Sequence, residues 1–321
     1  MNNKLICKYC KSEHVIKFGK YKEVQYYYCK GCNHKFVSTD TIPKMQYSAK
    51  MIADALNMYY EGLSLNEIRR NFIQQDNNYI SKVSPYNWVH RFTKLAKKEA
   101  DKYQPNVGGV WVADETVIQI NGKNIWLWDI IDTKTRFLLA SHISDTRMSK
   151  DAQILMEKAY KRAGTYPRIV YTDKLKAYLE GIEQAYGAET KHIQGSPFDI
   201  RNNTNFIERF HSTLKDRTKV MRDLKSMKSA RDFLDGWLIH YNFFRPHMSL
   251  KDRTPAQVAG IKFPFRNWKD ITEQPYEVTA RIPIETPKIM VQRKPIKTKR
   301  RKVEPRKRTS QPIASITQIR R

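Results

Sequence analysis

The sequence predicts a multidomain chain: a small β unit stapled by cysteines, an all-α unit, and then an α/β domain built on a mixed five-stranded sheet. Three observations predict it. All four cysteines, Cys7, Cys10, Cys29 and Cys32, sit at the start of the chain. Between residues 48 and 100 the apolar residues recur at helical spacing. From residue 110 onward, three strand-like runs give way to alternating helices and strands. A length of 321 residues suits two or three domains at roughly 100–200 residues each. Hydrophobic residues at 40% and aromatics at 12% can fill a core, which excludes global disorder. The charge balance of 59 Lys+Arg against 32 Asp+Glu, net +27, calls for an anionic partner, and nucleic acid comes first. An acidic membrane surface or a ribosome is the plainer alternative. No apolar run approaches the roughly 18 residues of a membrane span, and residues 1–10 lack a signal-peptide stretch. The expectation is a cytoplasmic protein with no membrane partner.

Residues 1–40 carry the spacing C-x2-C-x18-C-x2-C. Each C-x2-C forms a knuckle that aims two thiolates at one point, and two knuckles make a closed tetrahedral shell. The metal is therefore expected to be a structural Zn²⁺ in a zinc ribbon. Strand-like runs at His14–Phe18 and Glu23–Tyr28 lie between the knuckles. So small a unit has almost no core, so metal binding supplies its folding energy. Two disulfides or four free thiols are the competing readings. The ribbon could face DNA or protein.

Residues 44–104 read as a helix-turn-helix region. Ser48 caps a helix bearing Met51, Ile52, Ala55, Leu56 and Tyr59 on one stripe, ended by Gly62. Ser64-Leu65-Asn66-Glu67 is a capping box opening a second helix. Ser84-Pro85 starts a third, with Trp88, Val89, Phe92, Leu95 and Ala96 on its apolar side. Arg91, Lys94, Lys97 and Lys98 make that helix basic, as major-groove docking requires. A helical linker with a solvated basic face is the alternative.

Residues 105–260 read as strands at Val110–Ile120, Asn124–Ile131 and Phe137–Ser144, with Asn121-Gly122 as a two-residue hairpin turn. A helix over 149–163, a strand at Arg168–Thr172, a helix through Leu175 and Ile182 and a strand near 189–194 follow. A long helix from about Asn203 past Lys219 completes the order βββαβαβα, that of the ribonuclease-H-like fold. Asp114 falls on the apolar face of the first strand with Val112, Thr116 and Ile118. A carboxylate there is costly unless paired or metal-bound. Asp173 ends the fourth strand, beside the first. Glu208 lies early on the long helix, with His211, Ser212 and Lys215 near its face. Crowded carboxylates repel, and a hard divalent cation, Mg²⁺ or Mn²⁺, relieves that. Asp173 could instead cap the next helix, Asp132 reads as a turn residue, and Glu115 and Asp129 compete with Asp114.

The runs Trp111–Thr116, Ile120–Lys123, Tyr171–Asp173 and Asn202–His211, with Asp132 and Arg147, resemble insertion-sequence transposases of the Asp-Asp-Glu superfamily. So do His240-Tyr241-Asn242-Phe243-Phe244-Arg245-Pro246-His247, Leu250 and Thr254-Pro255-Ala256. The resemblance spans about 108–260, and a ribbon with a helix-turn-helix in front is also similar to several members. It implies the catalytic triad Asp114, Asp173 and Glu208. Two cations would serve phosphoryl transfer on DNA: cleavage at the element ends and strand transfer of the freed 3′-hydroxyl into target DNA. Asp114 would bridge the ions, with Asp173 and Glu208 each holding one. Lys174, Lys176, Arg209 and Lys215 flank the acids and could bind phosphates, as could Arg245. Because two DNA ends must meet, a homodimer or larger assembly is expected. A DNA-binding regulator descended from a transposase and a nuclease that cuts without joining are the alternatives.

Residues 261–287 read as a small extension with a possible strand-rich character. Residues 288–321 hold 13 Lys+Arg against the single acid Glu304 and read as a disordered arm on DNA phosphates.

Overall fold

Residues 5–21, 24–76, 79–195, 205–221 and 224–273 are described in the structure, a computed structural model. The basic tail, the extension beyond Glu273 and the motif residues Asn202–Thr204 lie outside the described residues.

The first element is an antiparallel sheet of β1 (Val15–Tyr21), β2 (Val24–Cys29) and β3 (Lys35–Val37) in that order. Its two cysteine knuckles are built alike. Lys11 and Asn33, each following a C-x2-C, take left-handed backbones at φ 60° and 57°. Their N–H groups close onto the carbonyls of Cys7 and Cys29 at 3.0 and 2.9 Å. Among the described residues the buried apolar core here is Cys7, Cys29 and Phe36, with Tyr9, Val15 and Tyr27 packed against it.

Three helices follow: α1 (Ala49–Tyr60), α2 (Leu65–Asp76) and α3 (Val83–Ala100). Ser48 caps α1 by accepting from Met51 N–H at 3.2 Å. The capping box of α2 forms, with Ser64 N–H donating to Glu67 Oε2 at 2.8 Å and Glu67 N–H to Ser64 Oγ at 3.3 Å. The third helix begins at Val83, one residue before the expected Ser84, so Pro85 sits inside its first turn. That turn's N–H groups have no intrahelical partner, so the missing donor costs nothing.

The larger sheet takes β4 (Val110–Ile120), β5 (Lys123–Asp132), β6 (Leu138–Ser144), β7 (Ile169–Thr172) and β8 (Lys191–Gln194). Their order is β6-β5-β4-β7-β8, antiparallel across the first three and parallel from β4 to β8. This is the ribonuclease-H-like arrangement. Asn121 and Gly122 turn the β4–β5 hairpin with φ of 52° and 71°, which an Asn-Gly pair adopts at little cost. Asp132 is the turn residue expected: its carboxylate accepts from Thr135 N–H at 2.8 Å and Gly108 N–H at 3.0 Å.

Helices α4 (Ser149–Ala163) and α5 (Lys176–Tyr186) cover one face, where Trp111 meets Tyr186 and Trp128 meets Tyr178 edge-on. They pack so closely that a Cβ on Gly181 would lie 2.5 Å from Ala152 Cβ and 2.9 Å from the Gln153 backbone nitrogen. Gly181→Ala is expected to cost about 1–3 kcal/mol by forcing the helices apart, read as a lower denaturant midpoint at unchanged slope.

The opposite face takes α6 (Asn205–Lys219) and α7 (Met227–Ile239). The sixth helix stops at Lys219 rather than running past it. After α7 the chain makes one π-turn, His240–Phe244, followed by α8 (Pro255–Val258) and α9 (Trp268–Glu273). The segment after 260, where a strand-rich extension was possible, shows no strand among its described residues and is helical at Trp268–Glu273. Trp268 explains this: it is buried, stacked at 5.3 Å on Tyr60 of α1.

One hydrophobic core runs without a break from the three-helix unit into the sheet, through Tyr60, Phe92, Trp237, Trp268 and Phe243. The His240–His247 motif clamps it. Asn242 accepts from Leu138 N–H and donates to Leu138 C=O, both at 2.9 Å. His240 bonds Glu61 at the end of α1 at 2.9 Å, and Trp268 Nε1 donates to its other nitrogen at 3.2 Å. His247 stacks edge-on against Tyr241 at 4.6 Å. Arg245 reaches Glu61 at 4.0 Å.

Candidate active site

The parallel register fixes the acids. Val110, Trp111 and Val112 face Ile169, Val170 and Tyr171, so two residues on, Asp114 and Asp173 fall in one row of the sheet. Asp173 uses Oδ1 to cap the turn before α5, accepting from Leu175 N–H at 2.9 Å. The helix itself takes Leu175 as its N-cap with no side-chain bond, so Asp173 shapes the turn and does not cap the helix, and its other oxygen is left out of that turn. Asp114, Glu115 and Asp173 each bring a carboxylate oxygen within 4.8 Å of the others.

Glu115 is the residue that strand alternation missed, because neighbours on a strand point to opposite faces. Asp173, at the end of its strand, is reached from both. The Glu115 side chain is 2% exposed. Arg147 Nε donates to Glu115 Oε1 at 3.0 Å, and a second guanidinium nitrogen donates to the same oxygen. Arg147 also lies 3.9 Å from Asp173 and stacks 4.5 Å over Trp126. Burial raises the pKa of the Glu115 carboxyl, as do the charges of Asp173 and Asp114, against the pull of Arg147. Its Oε2 is buried, as is the Tyr178 hydroxyl, whose own pKa burial raises with help from the Glu115 carboxylate.

Asp114 faces the α6 side. It pairs across the strands with Asp129, which is fully buried. His211 lies between them, its Nδ1 at 3.4 Å from Asp114 and its Nε2 at 3.1 Å from Asp129. Burial alone would lower the imidazolium pKa. The bonds to the two aspartates outweigh that and lift it to about 9, so at neutral pH both ring nitrogens donate. Ser141 Oγ holds the other oxygen of Asp129. The pattern of Asp129 and His211 was visible in the sequence only as a competing acid and a neighbour of Glu208.

Glu208 sits in the first turn of α6, exposed, one turn before His211, and outside the three-carboxylate cluster. Lys174, Lys176, Arg209 and Lys215 are exposed. On α3, Lys94 and Lys98 are exposed, whereas Arg91 donates to Pro43 C=O at 2.9 Å and Lys97 pairs with Asp235 at 2.6 Å.

The donor set fits a hard divalent cation: three carboxylates converge with an oxygen each within 4.8 Å of the others. The cysteines also converge, with Cys7–Cys32 and Cys10–Cys29 sulfurs 3.6 Å apart. A tetrahedral Zn–S shell of about 2.3 Å bonds has edges of about 3.8 Å, so the four sulfurs fit it. Among the described residues no helix is long and apolar enough to cross a membrane.

A family model described as a DDE domain matches residues 108–247. An uncharacterized protein of Methanocaldococcus jannaschii is 27% identical over 187 residues, 58% of this chain and 81% of that one. The putative transposase InsK for insertion sequence element IS150 of Escherichia coli is 19% identical over 46% of this chain and 53% of its own length. An uncharacterized protein of insertion element IS476 from Xanthomonas euvesicatoria is 34% identical over 29% of this chain and 28% of its own. The chain thus spans about half of the first of these insertion-element proteins and less of the second. Among solved structures, the HTLV-2 integrase catalytic core in complex with magnesium aligns at 18% identity and a TM-score of 0.39, over 49% of this chain and 97% of that one. Residues 108–247 thus form a DDE domain, with two of its acids in one row of the sheet, and the chain is similar to proteins of insertion elements.

Proposed function

We propose that the protein binds the ends of its insertion sequence, cleaves there to free a 3′-hydroxyl, and joins that hydroxyl to target DNA. The observation that carries this reading is the row of Asp114 and Asp173 on adjacent parallel strands of the DDE domain, with a third carboxylate beside them. Asp114, Asp173 and Glu208 are the triad; Mg²⁺, or Mn²⁺ in its place, is the ion they hold, two per site. Such ions activate an attacking oxygen and stabilise a leaving one.

The remaining roles belong to the chain. His211 holds one oxygen of Asp114 through a charged hydrogen bond and leaves the other to face the cluster. Arg147 offsets the crowded negative charge and keeps Glu115 and Asp173 in place. Lys174, Lys176, Arg209 and Lys215, exposed around the acids, meet DNA phosphates as point or fork charges. Zn²⁺ on the four cysteines shapes the ribbon, and the ribbon with α1–α3 recognises the ends. On α3, Lys94 and Lys98 are the free candidates for DNA; Arg91, Lys97 and Arg245 serve first as internal contacts. Joining two ends calls for a homodimer or larger assembly.

The test is a strand-transfer assay. Labelled DNA carrying the inverted repeats that flank the gene is mixed with the protein, a supercoiled plasmid and Mg²⁺. Joined product is expected. Cleavage without joining in either metal would make the protein a nuclease, and binding without either reaction a regulator.

A further inference from the structure

The ribbon sheet has two faces of different character. The strand register puts Val15, Tyr27, Cys29 and Phe36 on the face that holds the cysteines and their small core. The other face is left to water, and such faces of antiparallel sheets are normally polar. Here it is aromatic. Ile16 lies across from Tyr28, and Tyr28 across from Lys35, in one row. Tyr26, two residues along β2, shares that face. Phe18 is set against Tyr28, with ring centroids 6.1 Å apart. Yet Phe18 is 51% exposed and Tyr21 is 64% exposed.

A bulge helps to assemble this face. β1 is an edge strand, and its register shifts between Lys17 and Gly19. Plain alternation from Ile16 would bring Lys20 to the aromatic side. The extra residue brings Tyr21 there instead, opposite Val24 and in phase with Tyr26. A ring pair across two strands also stabilises a hairpin. That role accounts for the contact of Phe18 with Tyr28, and not for rings that stand half or more in solvent.

The rings are set in positive charge. Lys35 Nζ lies 3.7 Å from the centroid of the Phe18 ring. Residues 5–37 carry seven lysines against two glutamates, a surplus of five. Four thiolates on Zn²⁺ would cancel only two of those five. Open ring faces beside cations match a nucleotide strand: bases stack on the rings, and phosphates meet the ammonium groups. A duplex keeps its base faces stacked on one another, so the matching strand is an unpaired one. An apolar protein patch would match the rings and leave the lysines unanswered.

We propose that the outer face of the ribbon, centred on Phe18 with Tyr21, Tyr28 and Lys35, is a stacking platform for single-stranded DNA. The rings and charges carry this by themselves. Only the source of the strand, unpaired bases at the element's ends, rests on the transposase reading above.

The test uses the full chain with Phe18→Ala, Phe18→Trp and Lys35→Gln. Each is titrated with fluorescein-labelled oligothymidylate, and with a duplex of equal length, and followed by anisotropy. Titrations run up to about 0.3 M NaCl, where purely ionic binding elsewhere on the chain is weak. Phe18→Ala is expected to bind the oligonucleotide about tenfold more weakly, with its salt slope unchanged, because a stacked base releases no counterion. Its duplex affinity is expected to equal the parent's. Phe18→Trp is expected to restore binding. Lys35→Gln is expected to lower the salt slope by about 0.7. Should Phe18→Ala loosen the ribbon, seen as new protease cuts, Tyr21→Ala takes its place with a loss of the same kind.

Equal affinity of the parent and the ring variants for the oligonucleotide would overturn the proposal. So would an equal loss on oligonucleotide and duplex, or a parent that holds no single strand. A ring variant that turns a dimer into a monomer in sedimentation, with oligonucleotide binding intact, would make the face a contact between copies and overturn it too. A chain that joins no DNA but still holds the strand through Phe18 fails the transposase reading alone. A chain that joins DNA, with full oligonucleotide affinity in both ring variants, fails this proposal alone.

Discussion

Asp173→Asn is expected to abolish strand transfer, with a loss on the order of 10³-fold or more, while the protein stays folded. Ion-held charge stabilisation is worth several kcal/mol in such a site, which converts to that factor. Asparagine keeps the oxygen that accepts from Leu175 N–H, so the turn into α5 survives. Removing one of three crowded carboxylates also relieves repulsion, so in EDTA the variant should melt at or above the parent. Asp114→Asn should behave alike. The informative comparison is between Glu208→Gln and Glu115→Gln. The proposed triad requires the first to be as severe as Asp173→Asn. The second should cost about tenfold, by freeing Arg147 from one partner, within the range of a lost charge-assisted hydrogen bond. Single-turnover joining rates measure all four. If Glu115→Gln abolishes joining and Glu208→Gln is tolerated, the third ligand is Glu115 and the triad is wrong.

The second large effect concerns the cysteines. Purified protein is expected to carry one Zn²⁺ per chain at this site, and chelation or Cys7→Ser should unfold residues 5–37 alone. Metal binding in units of this kind supplies about 10–16 kcal/mol, more than a small domain's whole stability. The ribbon cannot replace it, since its core is Cys7, Cys29 and Phe36 and is separate from the main one. Without metal the cluster shares its protons unevenly: against burial, backbone N–H groups of Cys32 and Gly31 bring the Cys29 thiol to about 6, while burial and the neighbouring thiols push Cys32 up to about 12, so a cation is needed to hold all four as thiolates. Limited proteolysis reads the result: new cuts between Val15 and Val37 in EDTA, and no new ones between Ala49 and Glu273. A ribbon that resists protease without metal would sink the zinc assignment.

Much of this was legible because local rules agree with the fold. The Asn-Gly hairpin, the Ser64–Glu67 box and the cysteine knuckles are short-range features, and each formed. Asp114 and Asp173 could be paired because parallel strands put residues of matched position side by side. What escaped depends on partners distant in sequence. Lys97 looks like a DNA contact until Asp235 is seen beside it. Trp268 gives no helical signal in a short, proline-flanked run, and its burial comes from the distant Tyr60, His240 and Phe244. Glu115 obeys alternation yet meets Asp173, because the end of a strand is open to both faces. Arg217 reads as a surface charge on an amphipathic helix, and its burial arises from Tyr59 and Phe233 on two other helices.

The unbroken core between the helices and the sheet has a mechanical meaning. Asn242, His240 and Trp268 weld the two parts together, leaving no hinge between them among the described residues. A duplex gripped by the helices would arrive at the acids at a set offset, as work held in a jig meets a fixed blade. The number of base pairs between the grip and the cut would then be written in the protein's rigidity, and it would change only if the weld were broken.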